Sequence, residues 1–96
     1  MANEQSIKQL VDAALRRYNF DESITKGHVE QTYRDVVGEF IVKLTRSVYY
    51  DARNHTLKIV LSAPALKNEL TYKTSDLIES INSRLGSEEV KKIVLL

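Results

Sequence analysis

Cysteine is absent from the 96 residues, so the chain has no disulfide framework and no thiolate metal site, and zinc-ribbon folds are excluded. Three glycines and one proline leave little room for linkers or extended disorder. No apolar run approaches the ~18 residues that a membrane helix needs, and Met1 to Gln9 is polar. The expectation is a cytoplasmic protein with neither a signal peptide nor a spanning segment. An excess of one charge is missing too: 14 Lys+Arg against 13 Asp+Glu give a net charge of +1, well short of the basic balance that by itself announces nucleic-acid binding. The chain does have 43% hydrophobic and 28% charged residues, the composition of one soluble domain with a modest core.

Helical spacing of Ile7, Leu10, Val11, Ala14, Leu15 and Tyr18 predicts a helix from about residue 5 to 18, with Asn3 and Ser6 as candidate N-caps. The run from Phe20 to Ile24 breaks that pattern. Gly27 is expected to be a joint before a second helix carrying Val29, Tyr33, Val36, Val37, Phe40, Ile41 and Leu44. Glu30 with Arg34, and Glu39 with Lys43, have the i,i+4 order of ion pairs on a solvated face. Gly38 falls inside this second helix, at a cost of about 1 kcal/mol relative to Ala.

From Thr45 the period becomes two. Val48 and Tyr50 share one face and Tyr49 and Asp51 the other, so at least one of the two tyrosines faces the core. Arg53-Asn54-His55 reads as a turn, with Asn54 suited to a positive-φ position, before the alternating Leu57, Ile59 and Leu61. Pro64 opens a long third helix whose inward stripe is Leu66, Leu70, Leu77, Ile78, Ile81 and Leu85, with Thr74 in its middle turn and Gly86 as a left-handed cap. Val90 to Leu96 reads as a final strand. The order helix, helix, hairpin, helix, strand defines an α+β fold: a three-stranded sheet with its helices on one face and a right-handed return to the last strand. The other face is left to solvent or a partner.

Catalytic patterns are missing. His28 and His55 stand outside any ligand or acid–base motif and read as surface histidines. Gly27, Gly38 and Gly86 are isolated from one another, so no phosphate-binding loop is present. Thr71, Thr74 and Ser75 have no adjacent histidine to activate a nucleophile. No enzyme, metal or cofactor is expected. The most basic stretch is residues 45–63, with three basic residues and one acidic. Arg46, Arg53 and Lys58, joined by Lys91 and Lys92 if the strands are neighbours, form a candidate weak nucleic-acid platform, with Tyr49 and Tyr50 as stacking surfaces. The same pattern also fits ordinary edge protection. The apolar Ile93-Val94-Leu95-Leu96 completes the sheet and could pair with a second copy of the chain.

Tyr33-Arg34-Asp35-Val36-Val37-Gly38, then the hairpin ending Leu57-Lys58-Ile59-Val60-Leu61-Ser62-Ala63-Pro64, then Leu66, Glu69-Leu70 and a helix closing on Leu85-Gly86, resemble the DciA family. The resemblance runs from about Leu10 to Leu95, within a single domain spanning 1–96 whose first four residues are expected to fray. It implies a bacterial, nucleoid-associated, non-enzymatic accessory protein of DNA replication with a KH-like domain. The implied partners are the replicative helicase of the DnaB type and DNA, single- or double-stranded, at low affinity. An RNA-binding KH-like module and a structural self-association domain are the alternative readings. The family usually has Trp where this chain has Tyr33, whose hydroxyl then needs a partner. Tyr33 is a candidate partner contact, with Gly38 beside it. The Gly-x-x-Gly loop of typical KH domains is missing, so their clamp on the phosphate backbone does not transfer. Many members carry a flexible tail beyond this domain, so recruitment of the helicase is expected either to use the folded surface here or to be absent.

Overall fold

In the computed structural model of the protein the described residues are 20–96. The helix expected over 5–18 lies outside them. Helix α1 spans Phe20–Val37 and α2 Glu39–Lys43; strands β1 (Thr45–Asp51) and β2 (Thr56–Leu61) form the hairpin. Helices α3 (Pro64–Thr71) and α4 (Thr74–Leu85) then lead to β3 (Lys92–Leu95). The sheet order is β1-β2-β3, with β1 antiparallel and β3 parallel to β2. This is the α+β arrangement expected, with the helices packed on one face of a mixed sheet.

The helix boundaries differ from those expected. Gly27 is not a joint: α1 runs through it, because one exposed glycine costs only about 1 kcal/mol and burial of Val29 and Tyr33 further along the helix outweighs it. The interruption falls at Gly38, where φ is 85° and ψ 171°, a region essentially reserved for glycine. Gly38 is therefore not a mid-helix residue. Its N–H closes α1 on the Arg34 carbonyl (3.1 Å), and its own carbonyl accepts from Val42 N–H (3.0 Å) to open α2.

The long third helix is two helices. Between the buried Leu70 and Leu77 lie Thr71, Tyr72 and Lys73, all exposed, so nothing is buried across this turn to hold the helix together. Tyr72 and Lys73 N–H groups reach back to Glu69 and Leu70 carbonyls, ending α3, and Lys73 is the N-cap position of α4, with Thr74 its first residue. Gly86 takes the left-handed conformation (φ 75°) as the cap of α4. Val90 precedes the final strand instead of belonging to it. Asn82 holds it at two points, donating to the Val90 carbonyl (2.8 Å) and accepting from its N–H (2.9 Å).

The core collects Val29 and Tyr33 from α1, Tyr50, Leu57 and Ile59 from the hairpin, Leu77 and Ile81 from α4, and Val90. Tyr50 opposes Leu57 and Val48 opposes Ile59, while Leu57 opposes Ile93 and Ile59 opposes Leu95, so these residues share the helix-covered face. Their neighbours Tyr49, Lys58, Val94, Thr56 and Lys92 belong to the other face. Arg46 is the extra residue of a bulge between Thr45 and Ser47.

Candidate nucleic-acid interface

Pairing in the sheet fixes what the bare face presents. Tyr49 opposes Lys58, which opposes Val94; in the next row Asp51 opposes Thr56, which opposes Lys92. Tyr49 is 51% exposed, whereas Tyr50 is buried, as the alternation requires. No ion pair engages Lys58 or Lys92 among the described residues. Among the described residues Asp51 is the one acid on this face, and it is occupied by the turn. Its Oδ1 accepts from Arg53 N–H (3.1 Å) and Asn54 N–H (3.3 Å), and its Oδ2 from the Asn54 side-chain amide (2.7 Å). The Asn54 amide above all, helped by the two backbone donors and the Lys58 charge, holds the Asp51 carboxyl below its usual range. The positive φ of the turn falls on His55 (51°) instead of Asn54, whose side-chain amide donates to Asp51.

The five basic residues and two tyrosines expected to bind nucleic acid are not all brought together, and Tyr50 is in the core. Tyr49, Lys58 and Lys92 share the bare face. Arg53 stands in the turn beyond it. Arg46 sits at the far end of β1, beside a small hollow lined by Tyr33, Arg34 and Val42. Lys91 precedes β3 and lines a shallow cleft against α4, with its N–H on the His55 carbonyl (2.9 Å).

Sequence reasoning missed Lys26. Its Nζ lies 4.7 Å from the centre of the Tyr49 ring, within cation–π range, and 2.8 Å from Glu30 Oε2. The same Glu30 oxygen accepts the Tyr50 N–H (2.9 Å), which points off the free edge of β1. Glu30 thus closes an edge strand and anchors Lys26, in place of the ion pair expected with Arg34. No pair joins Glu39 and Lys43 either. Nothing local in the sequence signals this, since residues 26 and 49 meet only when α1 packs on β1.

Tyr33 cannot be touched by a partner. It is 0% exposed, and its hydroxyl meets Thr45 Oγ1 at 3.0 Å, which in turn donates to the Ile41 carbonyl (2.8 Å). Burial pushes the Tyr33 hydroxyl pKa up, against the opposing influence of the Thr45 hydrogen bond and the Arg34 charge. The expected contact at this residue is corrected accordingly: helical spacing placed Tyr33 with Val29 and Val37, and that stripe is the core. The apolar group that this region does present is Phe40 on α2, 73% exposed.

A second polar cluster ties the hairpin turn to the approach to β3. The Tyr50 hydroxyl donates to Glu89 Oε2 (2.6 Å) and lies 2.9 Å from the Glu89 carbonyl, and His55 Nδ1 lies 2.8 Å from that carbonyl and 3.1 Å from Oε2. The cluster is a strut. Among the described residues no group of three acids or histidines is placed to hold a metal.

The fold and face define a small α+β domain with a sheet surface that no other described element covers, bearing lysines and a tyrosine. Over residues 6–95 the chain matches the family described as Dna[CI] antecedent, DciA, and it belongs to that family. Membership places it among proteins of DNA replication and helicase loading, a family associated with the DnaB helicase. Neither a curated protein nor a solved structure matches the chain. Among the described residues no helix is long and apolar enough to cross a membrane.

Proposed function

We propose that this protein is a non-enzymatic accessory factor of DNA replication that contacts a DnaB-type helicase and binds DNA weakly. It acts in the cytoplasm alongside the nucleoid and carries a KH-like domain without the glycine clamp. The observation that carries the DNA half is the bare face, where Tyr49 stands beside Lys58 with Lys92 in the next row, and no carboxylate among the described residues forms an ion pair with either lysine. Phosphates are drawn to the lysines, and an exposed ring offers a base a surface to stack on. For the helicase, the region of Gly38 and Phe40 is the favoured contact, because α2 presents Phe40 outward beside a sharp backbone joint. Pairing of two copies along the outer edge of β3, where the parallel ladder turns the Ile93 and Leu95 backbone away from β2, is a further partner mode.

Anisotropy of labelled single- and double-stranded DNA over a salt series tests the DNA half. Binding at low salt that weakens steeply as salt rises, and that falls in a Lys58→Glu/Lys92→Glu variant with an unchanged circular dichroism spectrum, is the expected result. No binding at low salt removes the DNA half. Stronger competition by RNA of matched sequence replaces DNA with RNA as the ligand.

A further inference from the structure

One carboxylate oxygen, Glu30 Oε2, accepts from two donors of different kind. Tyr50 N–H belongs to the edge of β1 and is fixed by the sheet; Lys26 Nζ ends a flexible four-carbon chain. That chain reaches from α1 on the covered side to Tyr49 on the bare side, so Lys26 delivers to the face a cation that the face's own strands do not supply. Lys58 lies directly across from Tyr49, on β2. The exposed ring is therefore flanked by a cation from the helix and another from the neighbouring strand. The two are not equivalent: Lys58 is unpaired among the described residues, whereas Lys26 is held by Glu30.

We propose that Lys26 is a phosphate-binding residue of the bare face and that Glu30 restrains it, so that a nucleic-acid phosphate must take Lys26 from the carboxylate. The proposal rests on the DNA-binding reading above and adds to it a residue and a restraint. In the free protein Lys26 pairs with Glu30 and covers part of the Tyr49 ring. On binding, the ammonium moves to a phosphate oxygen while Glu30 keeps its bond to Tyr50 N–H, and Tyr49 is freed to stack against a base. No bond other than hydrogen bonds and ion pairs changes. The charge balance fits this ligand: Lys26, Lys58 and Lys92 set three cations against the carboxylates of Glu30 and Asp51, and the turn donors already hold the Asp51 oxygens.

The two ends of the pair make opposite predictions. Lys26→Gln removes the cation, and its affinity for labelled single-stranded DNA should fall, with the slope of log affinity on log salt reduced by about 0.7. Glu30→Gln keeps a side-chain oxygen for Tyr50 N–H but releases the lysine, and its affinity should rise roughly two- to five-fold at low salt, the scale of an exposed ion pair. Lys26→Arg should bind like the wild type. A structural role alone would leave Glu30→Gln equal to or weaker than the wild type. If the wild type binds DNA and neither Gln variant moves affinity, or both weaken it, the proposal is overturned and the DNA reading stands. If the wild type does not bind, the DNA reading itself fails and the proposal goes with it. Circular dichroism of each variant confirms that folding is retained.

Discussion

Tyr50 shows how much one side chain can carry. Its ring is buried between the helices and the sheet, its N–H is closed by Glu30, and its hydroxyl is the donor that joins β1 to the segment before β3 through Glu89. Burial, then the hydrogen bond and charge of Glu89, with Asp51 a smaller contributor, push the hydroxyl pKa far above its ordinary value, so the group remains a donor through the alkaline range. Tyr50→Phe keeps the ring and removes only the donor. It should lose about 1.5–3 kcal/mol in urea unfolding, the worth of a hydrogen bond to a charged group. Because the folded-state pKa is raised, this contribution is fully present below the unfolded value and is lost as pH rises through the folded one. The gap between wild type and variant should therefore stay level up to about pH 10 and narrow only above it. A gap that closes near neutral pH would contradict the assignment of the donor. Tyr33 carries a different lesson. Truncating a buried aromatic costs about 3–5 kcal/mol, so a Tyr33→Ala variant reports on folding and not on partner contact.

Among the elements, the informative contrast is between two glycines of the same helical stretch. Gly27 is helical and exposed, and a Cβ there would meet nothing within 4 Å. Gly27→Ala should stabilise the protein by up to about 1 kcal/mol. Gly38 has equally open surroundings but a φ of 85°, so Gly38→Ala should destabilise it by about 1–3 kcal/mol, through the backbone alone. Urea midpoints of the two variants check this, and equal shifts would mean that α1 and α2 are not separated by the conformation at Gly38. These two positions also mark how far the elements were legible in the sequence. Period-two alternation located the hairpin and put Tyr49 and Tyr50 on opposite faces, because burial of one sheet face leaves a strong signal, and the fold shows that Tyr50 is the inward one. Pro64 and Gly86 located helix ends through fixed backbone preferences. Which glycine interrupts α1 was not legible, since that depends on what the flanking residues bury once folded. The same holds for the split of the third helix at Tyr72–Lys73, where helical periodicity continues across a turn that buries nothing.

At the scale of the whole molecule, the sheet separates two surfaces among the described residues: one face is consumed by α1, α4 and the core, and the other is left with Tyr49, Lys58, Lys92 and the reach of Lys26. Half of this candidate site could be read from the sequence, because Tyr49 and the lysines announce themselves by type and by strand parity. Local irregularity and packing decided the rest: the bulge at Arg46 and the start of β3 at Lys92 left Arg46 and Lys91 away from the face, and the packing of α1 on β1 brought Lys26 to it. The proposed helicase contact at Phe40 lies on α2 and the lysines lie on β2 and β3, so under the proposed function the two activities should be separable by mutation. Co-sedimentation of this protein with a DnaB-type helicase, with and without single-stranded DNA, tests the central claim most directly. The account predicts a complex with the wild type and with the Lys58→Glu/Lys92→Glu variant, and its loss in Phe40→Ala with folding intact. Absence of any complex with the wild-type chain, with or without DNA, would contradict it.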